Sequence, residues 1–201
     1  MLYHIFKNFF FVIFIVFNRF QIIGAENVPE TGPVIVVGNH TSYWDPMVLG
    51  SAVGRRQVHF MAKEAIFKIP LIGFLVKAWG AIPVKRGRND RDAVTKALAV
   101  LNQGGVFGIF IEGTRNKKDP AKLIKPQSGT AMLAVHSGAA VVPITLINTR
   151  KILWSFQRVT AIIGKPLQFE ADPEMERKEL YAQISAAIVR QIEAPLQQKS
   201  D

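Results

Sequence analysis

Strand-like runs alternate with helical patterns along most of the chain. Three runs, "VIVV", "VFGIF" and "AAVVPITL", are apolar almost throughout, as strands buried on both faces are. Amphipathic segments separate them, and the clearest is "NDRDAVTKALAVLNQGG", in which Val94, Leu98 and Leu101 share one helical face. The alternation predicts an α/β fold: a single domain with a mostly parallel central sheet flanked by helices.

Length and composition are consistent with this prediction. A chain of 201 residues, 49% of them apolar and 20% charged, suffices for one well-buried globular domain and is short for two. The chain has no cysteine. Disulfides, thiolate metal sites and a cysteine nucleophile are therefore excluded.

The N-terminal segment contains nine consecutive apolar residues, Phe9 to Phe17, between Lys7-Asn8 and Asn18-Arg19. This run is too short to span a bilayer, which takes about 20 residues. Positions 7, 8, 18 and 19 are eleven apart in pairs, about three helical turns, so they project from one side. The spacing predicts an interfacial helix over residues 1–22, with phenylalanines facing lipid and the polar stripe facing water. A spanning helix, a buried core helix and a signal peptide are the alternatives. We expect residues 23–201 to form the globular domain.

The charge balance points to an anionic partner. Twenty-five Lys and Arg against 15 Asp and Glu give a formal net charge of +10, which attracts nucleic acid, anionic lipid or phosphorylated substrates. The aromatic residues cluster in the N-terminal apolar segment, which favours lipid. We expect an anionic membrane surface as a partner and no nucleic acid. A non-catalytic basic protein that binds membrane or nucleic acid is the competing hypothesis.

Polar clusters follow the apolar runs, where α/β sheets usually bind ligands. They are Asn39-His40 with Asp45, Lys85-Arg86, Glu112 to Arg115, and the lysines before Gly129. The chain has no G-x-x-x-x-G-K-[ST], G-x-G-x-x-G, H-E-x-x-H or G-x-S-x-G motif, which are typical of nucleotide, zinc and serine-hydrolase sites.

The chemistry that remains for these polar clusters is general-base catalysis, in which a histidine deprotonates a hydroxyl of the substrate. Imidazole can accept a proton at neutral pH, and an aspartate on its other nitrogen fixes the tautomer and stabilises the imidazolium. Such general-base catalysis is worth about 10²–10⁴-fold in rate. The nearby cations suit a phosphate on the same substrate. Alone, His40 and Asp45 are equally consistent with a loop histidine and a helix N-cap.

Four ordered blocks resemble the glycerolipid acyltransferases, the group that contains 1-acylglycerol-3-phosphate acyltransferase. "NHTSYWD" matches the H-x-x-x-x-D motif with His40 and Asp45. The other three are "GAIPVKR", ending in Arg86, "FIEGTRN" and "VVPI", so the resemblance covers residues 39 to about 145. Two positions depart from the family pattern: Ile111 stands where proline is usual, and Asn116 where serine or threonine is common.

The resemblance implies a reaction and a set of roles. His40, oriented by Asp45, would deprotonate the free hydroxyl of lysophosphatidate, which would attack an acyl thioester of coenzyme A or acyl carrier protein. The residues implied to hold the glycerol phosphate are Arg86, Glu112, Gly113, Thr114 and Arg115, with Lys125 as a further phosphate contact. No metal or other cofactor is required, and the enzyme would act at the cytoplasmic face of a membrane. A family member with another acceptor is the alternative.

Overall fold

In the part of the chain that the structure describes, a seven-stranded sheet forms the centre. The computed structural model describes residues 2–84, 91–120 and 122–198. The strands are β1 (Gln21–Ile23), β2 (Val34–Gly38), β3 (Val58–Lys63), β4 (Ile82–Val84), β5 (Val106–Phe110), β6 (Ala140–Ile147) and β7 (Thr160–Ile163). The helices are α1 (Leu2–Asn18), α2 (Asp45–Ala52), α3 (Glu64–Phe67), α4 (Pro70–Ala78), α5 (Arg91–Asn102), α6 (Gly129–Ser137) and α7 (Arg177–Gln197).

The sheet is mostly parallel, as the alternating pattern predicts. Its strand order is β1-β7-β6-β2-β5-β3-β4. Strand β2 lies at the centre and pairs in parallel with β5 and β6, so that Val36 faces Gly108 on one side and Val142 on the other. Strand β7 runs antiparallel to β6, and β1 is parallel to β7. The predicted α/β class is confirmed.

Hydrophobic layers cover both faces of the sheet. Because side chains alternate along a strand, Val34 and Val36 of β2 pack toward the layer that holds α1 and α2. Ile35 and Val37 point to the opposite layer, which is built from α5, α6 and α7. All five residues of β2 are buried, which explains why its sequence is apolar without interruption.

The parallel arrangement gathers three chain segments at one edge of the sheet. His40 follows β2, Glu112 follows β5 and Asn148 follows β6, so all three leave the sheet at its C-terminal edge. The buried side chain of Asn39 joins two of these segments: its Nδ2 donates to the Leu146 carbonyl (2.9 Å) and its Oδ1 accepts from the Leu146 N–H (2.7 Å). This bridge fixes where the chain leaves β2.

Helix α1 turns half of the predicted polar stripe toward the domain. The side chains of Lys7 and Asn18 are buried against the protein, and the Lys7 ammonium donates to the Gly54 carbonyl. The expectation that they face water is wrong, whereas Asn8 and Arg19 are exposed as predicted. The outward face is apolar instead: Leu2, Ile5, Phe9, Val12, Ile15, Val16 and Phe17. The polar groups turn inward because backbone carbonyls of the domain accept their hydrogen bonds.

Burial also changes the ionisation of the inner face. Desolvation lowers the pKa of Lys7 and raises the pKa of Tyr3 to about 12, although the Val58 N–H bond to the Tyr3 oxygen opposes the latter shift.

Among the described residues, no helix is long and apolar enough to cross a membrane.

Gly108 makes room for the aromatic ring of Phe60 on the neighbouring strand. An added Cβ would lie 2.6 and 2.8 Å from two ring carbons of Phe60, which is closer than carbon atoms can approach. We expect Gly108→Ala to lower the free energy of unfolding by about 1–3 kcal/mol, as measured by urea denaturation. Adding Phe60→Leu should restore part of the loss. Equal stability of Gly108→Ala and the native protein would contradict this packing.

Candidate active site

His40 and Asp45 form a hydrogen-bonded pair at the C-terminal edge of the sheet. The Nδ1 atom of His40 lies 2.9 Å from Oδ2 of Asp45. The aspartate side chain is fully buried, whereas the imidazole keeps 16% of its surface exposed. An Nδ1–H that donates to the carboxylate leaves Nε2 as the nitrogen that can accept a proton. The sequence-predicted pair is therefore brought together with the geometry of a base and its orienting group.

The short loop between the two residues folds around the carboxylate. Oδ2 of Asp45 also accepts the backbone N–H groups of Thr41 (2.6 Å) and Ser42 (2.7 Å). Asp45 is followed by Pro46 at the start of α2, where proline needs no N–H partner. Three donors on one oxygen stabilise a buried charge that would otherwise be costly. Asp45 is thus the first residue of α2 but not its N-cap, which is Trp44, and its carboxylate bonds the loop that precedes the helix.

Aromatic rings stack against one face of the His40 imidazole. The Phe110 ring lies parallel to the imidazole, with centroids 4.2 Å apart and planes at 14°. Phe60 stacks behind Phe110 at 6.0 Å, in the space that Gly108 leaves open. The sequence does not single out Phe110, because its partner, His40, lies 70 positions earlier, in the loop after β2. The stack and the Asp45 bond together determine the orientation of the imidazole.

Glu112 binds backbone groups rather than facing an open surface. Its Oε2 accepts the N–H of His40 (2.6 Å), and its Oε1 accepts the N–H of Ile124 (3.1 Å). The side chain is buried, and this burial raises the pKa of the carboxyl, although the two N–H donors partly oppose the shift. Glu112 therefore ties the end of β5 to the histidine and to the lysine-bearing loop.

Arg115 lies against the His40–Asp45 loop. Its guanidinium carbon lies 3.4 Å from the centroid of the Tyr43 ring, and Tyr43 belongs to the His40–Asp45 loop. Gly113, with a positive φ of 64°, turns the chain there, and both Gly113 and Thr114 are exposed. These three neighbours therefore remain available to an anionic ligand, whereas Glu112 is already occupied.

Asn116 organises the loop beyond the motif. Its N–H donates to the His40 carbonyl (2.7 Å), and its side-chain amide donates to the carbonyls of Asp119 and Lys122 (2.6 Å each). The sequence marks this residue only as a departure from the family pattern. The structure gives it a positioning role, since an amide can bond two carbonyls where a hydroxyl bonds one.

Of the two remaining predicted phosphate contacts, Lys125 and Arg86, the structure describes only Lys125. Lys125 is exposed on the loop whose Ile124 N–H bonds Glu112, so the lysine lies in the neighbourhood of the site. Arg86 lies outside the described residues. Between positions 2–84, 91–120 and 122–198, no group of three metal-ligating side chains occurs.

A cavity of about 370 Å³ adjoins the pair through Thr41. Asn148, Arg150 and Lys151 line it from the segment after β6. The hydroxyl of Thr41 lies 3.1 Å from that of Thr149, and Arg150 donates to the Asn116 carbonyl (2.6 Å). The size fits a small ligand, and the charged residues of the lining, Arg150 and Lys151, are both basic.

The raised pKa of Glu112 predicts how stability depends on pH. Ionising the carboxyl costs more in the folded protein than in the unfolded chain. The free energy of unfolding of the native protein, relative to that of Glu112→Gln, should therefore fall as pH rises from below the ordinary glutamate pKa through the raised one. Urea denaturation of both proteins across this range measures the difference. A difference that grows with pH would contradict the dominance of burial.

Comparison with known proteins identifies the family. The model described as Acyltransferase matches residues 19–147. A chloroplastic 1-acyl-sn-glycerol-3-phosphate acyltransferase of Arabidopsis thaliana, LPAT1, is 34% identical over 161 residues, which are 75% of this chain and 44% of that protein. The 1-acyl-sn-glycerol-3-phosphate acyltransferase of Borreliella burgdorferi is 29% identical, over 85% of this chain and 70% of its own length. This chain thus spans less than half of the first relative.

A solved structure has the same fold. The crystal structure of the 1-acyl-sn-glycerophosphate acyltransferase PlsC from Thermotoga maritima matches with a TM-score of 0.72 at 23% identity, over 94% of this chain and 75% of that one. The resemblance carried by the four sequence blocks is confirmed. The chain belongs to the Acyltransferase family, the glycerolipid acyltransferases among which these relatives are found.

Proposed function

We propose that this protein transfers an acyl group from an acyl thioester to the free hydroxyl of lysophosphatidate, forming phosphatidate. The observation that carries the proposal is the His40–Asp45 hydrogen bond of 2.9 Å, with a fully buried carboxylate and a partly exposed imidazole. The names of the relatives supply the acceptor, since both curated proteins described above are named for 1-acyl-sn-glycerol-3-phosphate.

The chemistry follows from the two nitrogens of His40. Nε2 accepts the hydroxyl proton while the acceptor oxygen attacks the thioester carbonyl carbon, and Asp45 stabilises the imidazolium that forms. The resulting tetrahedral intermediate breaks its carbon–sulfur bond. The imidazolium then returns the proton to the departing thiolate, so the base is regenerated. The donor is acyl coenzyme A or acylated acyl carrier protein, since both carry the acyl group as a thioester.

Cations beside the pair suit the phosphate of the acceptor. Arg115, held over Tyr43 on the His40–Asp45 loop, would bind the phosphate in paired hydrogen bonds, with Gly113 and Thr114 beside it. Arg86 and Lys125 remain proposed phosphate contacts by family analogy. Glu112 contributes by holding the His40 backbone, because both of its oxygens already accept N–H groups.

The apolar outer face of α1 suits a membrane-bound substrate. Seven large apolar side chains, from Leu2 to Phe17, face outward along this helix. An interfacial helix of this kind would bring the enzyme to its lipid acceptor, at the anionic cytoplasmic surface of a membrane. The net charge of +10 favours the same location.

An acyl-transfer assay tests the reaction. Lysophosphatidate in vesicles is offered with acyl coenzyme A and, separately, with acylated acyl carrier protein, and the product is identified by mass spectrometry. We expect phosphatidate from the native protein and a loss of about 10²-fold or more with His40→Ala, because the general base is absent. His136→Ala is the matched control: this histidine is on the far end of α6, where it bonds the Met132 carbonyl.

The control should retain native activity, and circular dichroism should show that both variants are folded. Phosphatidate formation by His40→Ala at the native rate would contradict the proposed base. If the native protein transferred the acyl group only to another lysolipid, lysophosphatidate would be the wrong acceptor, whereas the proposed acyl-transfer chemistry would stand.

A further inference from the structure

We infer that a second element, the loop Leu153–Phe156, inserts into the surface of an anionic bilayer beside helix α1. We call this segment the tryptophan loop. The inference rests on the proposed membrane association and deepens it, since the sequence pattern assigns lipid contact to residues 1–22 alone.

The tryptophan loop presents large apolar side chains directly to solvent. The exposed fractions are 90% for Trp154 and 80% for Phe156, and Leu153 is exposed beside them. A soluble surface carries single apolar residues commonly, but three of this size within four positions mark a contact site. Tryptophan and phenylalanine are also the residues that favour the boundary between lipid headgroups and acyl chains.

Asn18 fastens the tryptophan loop to the end of α1. Its buried side-chain amide donates to the Ser155 carbonyl (2.9 Å), and its oxygen accepts the Leu153 N–H (3.4 Å). Leu153 has a positive φ of 67°, which a leucine rarely adopts. The two hydrogen bonds of Asn18 to the loop therefore maintain an unfavourable backbone conformation. The tryptophan loop therefore lies at the C-terminal end of α1, where Val16 and Phe17 are also exposed.

The charge around this surface selects an anionic lipid as the partner. Residues 120–169 contain six Lys and Arg and no Asp or Glu, and residues 1–25 contain no acidic residue either. Arg19, Lys151 and Arg158 are exposed at the base of the tryptophan loop. A second copy of the chain would bring like charges together, whereas anionic headgroups would be attracted.

Seating both elements in the headgroup region would fix the orientation of the active site. The segment that leads into the tryptophan loop is bonded to the His40–Asp45 loop through Thr149 and Thr41 (3.1 Å). It is also bonded to the Glu112–Asn116 segment, through the Arg150 guanidinium and the Asn116 carbonyl (2.6 Å). Two separated contacts would stop the domain from rotating about α1, so the opening beside His40 would stay level with the lipid headgroups.

Depth-dependent quenching of Trp154 fluorescence tests the inference. The full chain carrying Trp44→Phe and Trp79→Phe keeps Trp154 as its one tryptophan. It is mixed with vesicles of phosphatidylcholine and phosphatidylglycerol whose acyl chains carry bromine near the headgroup. We expect a blue-shifted emission and strong quenching. The matched control adds Trp154→Phe and Ala186→Trp, which moves the reporter to an exposed position on α7 and should leave it unquenched.

Binding of variants provides the second measurement. Trp154→Ser with Phe156→Ser should lower the vesicle partition coefficient by about tenfold or more, whereas Trp154→Phe with Phe156→Leu should retain most of it. The inference would be overturned if the protein cosedimented with the vesicles while Trp154 emission in the single-tryptophan chain stayed unshifted and unquenched. A blue shift that grows with protein concentration, without vesicles, alongside a doubled mass, would also overturn it, since a second copy would then cover the loop. Neither readout depends on acyl transfer, so failure of the proposed reaction is detected separately.

Discussion

The buried carboxylate of Asp45 is the interaction on which the rest of the site depends. An ionised carboxylate deprived of water needs donors, and Oδ2 receives three within 2.9 Å, from Thr41, Ser42 and His40. The loop closes around this oxygen, and the closure itself places the imidazole. The side chain that begins α2 is therefore also the one that determines which histidine nitrogen remains for a substrate.

The parallel sheet supplies the other supports by delivering chain segments to the same edge. Glu112, at the end of β5, bonds the His40 N–H, while Asn39 joins the end of β2 to Leu146 on β6. Phe110 stacks on the imidazole from the neighbouring strand. Each contact links residues that are far apart in sequence. The active-site geometry is thus a consequence of strand order, and the chemistry is set by the few polar groups placed at that edge.

The sequence predicts the sheet and the His40–Asp45 pair because both depend on short-range patterns. Apolar runs alternating with amphipathic helices indicate the parallel sheet, and a five-residue spacing places His40 near Asp45. The contacts of Glu112, Asn116 and Phe110 with His40 could not be predicted, since His40 lies in a loop that follows another strand. The inward orientation of Lys7 and Asn18 has the same cause: helical spacing shows that residues share a face, but only tertiary contacts decide which way that face points.

The protonation state of the His40 ring tests the proposed base most directly. Nitrogen-15 NMR of histidine-labelled protein, with His40→Gln used to assign the signal, reports which ring nitrogen carries the proton. A base oriented by Asp45 requires the neutral ring to be protonated at Nδ1 and free at Nε2. Asp45→Asn should disturb this tautomer, because an amide no longer requires a donor there. A neutral His40 protonated at Nε2 in the native protein would contradict the proposed mechanism.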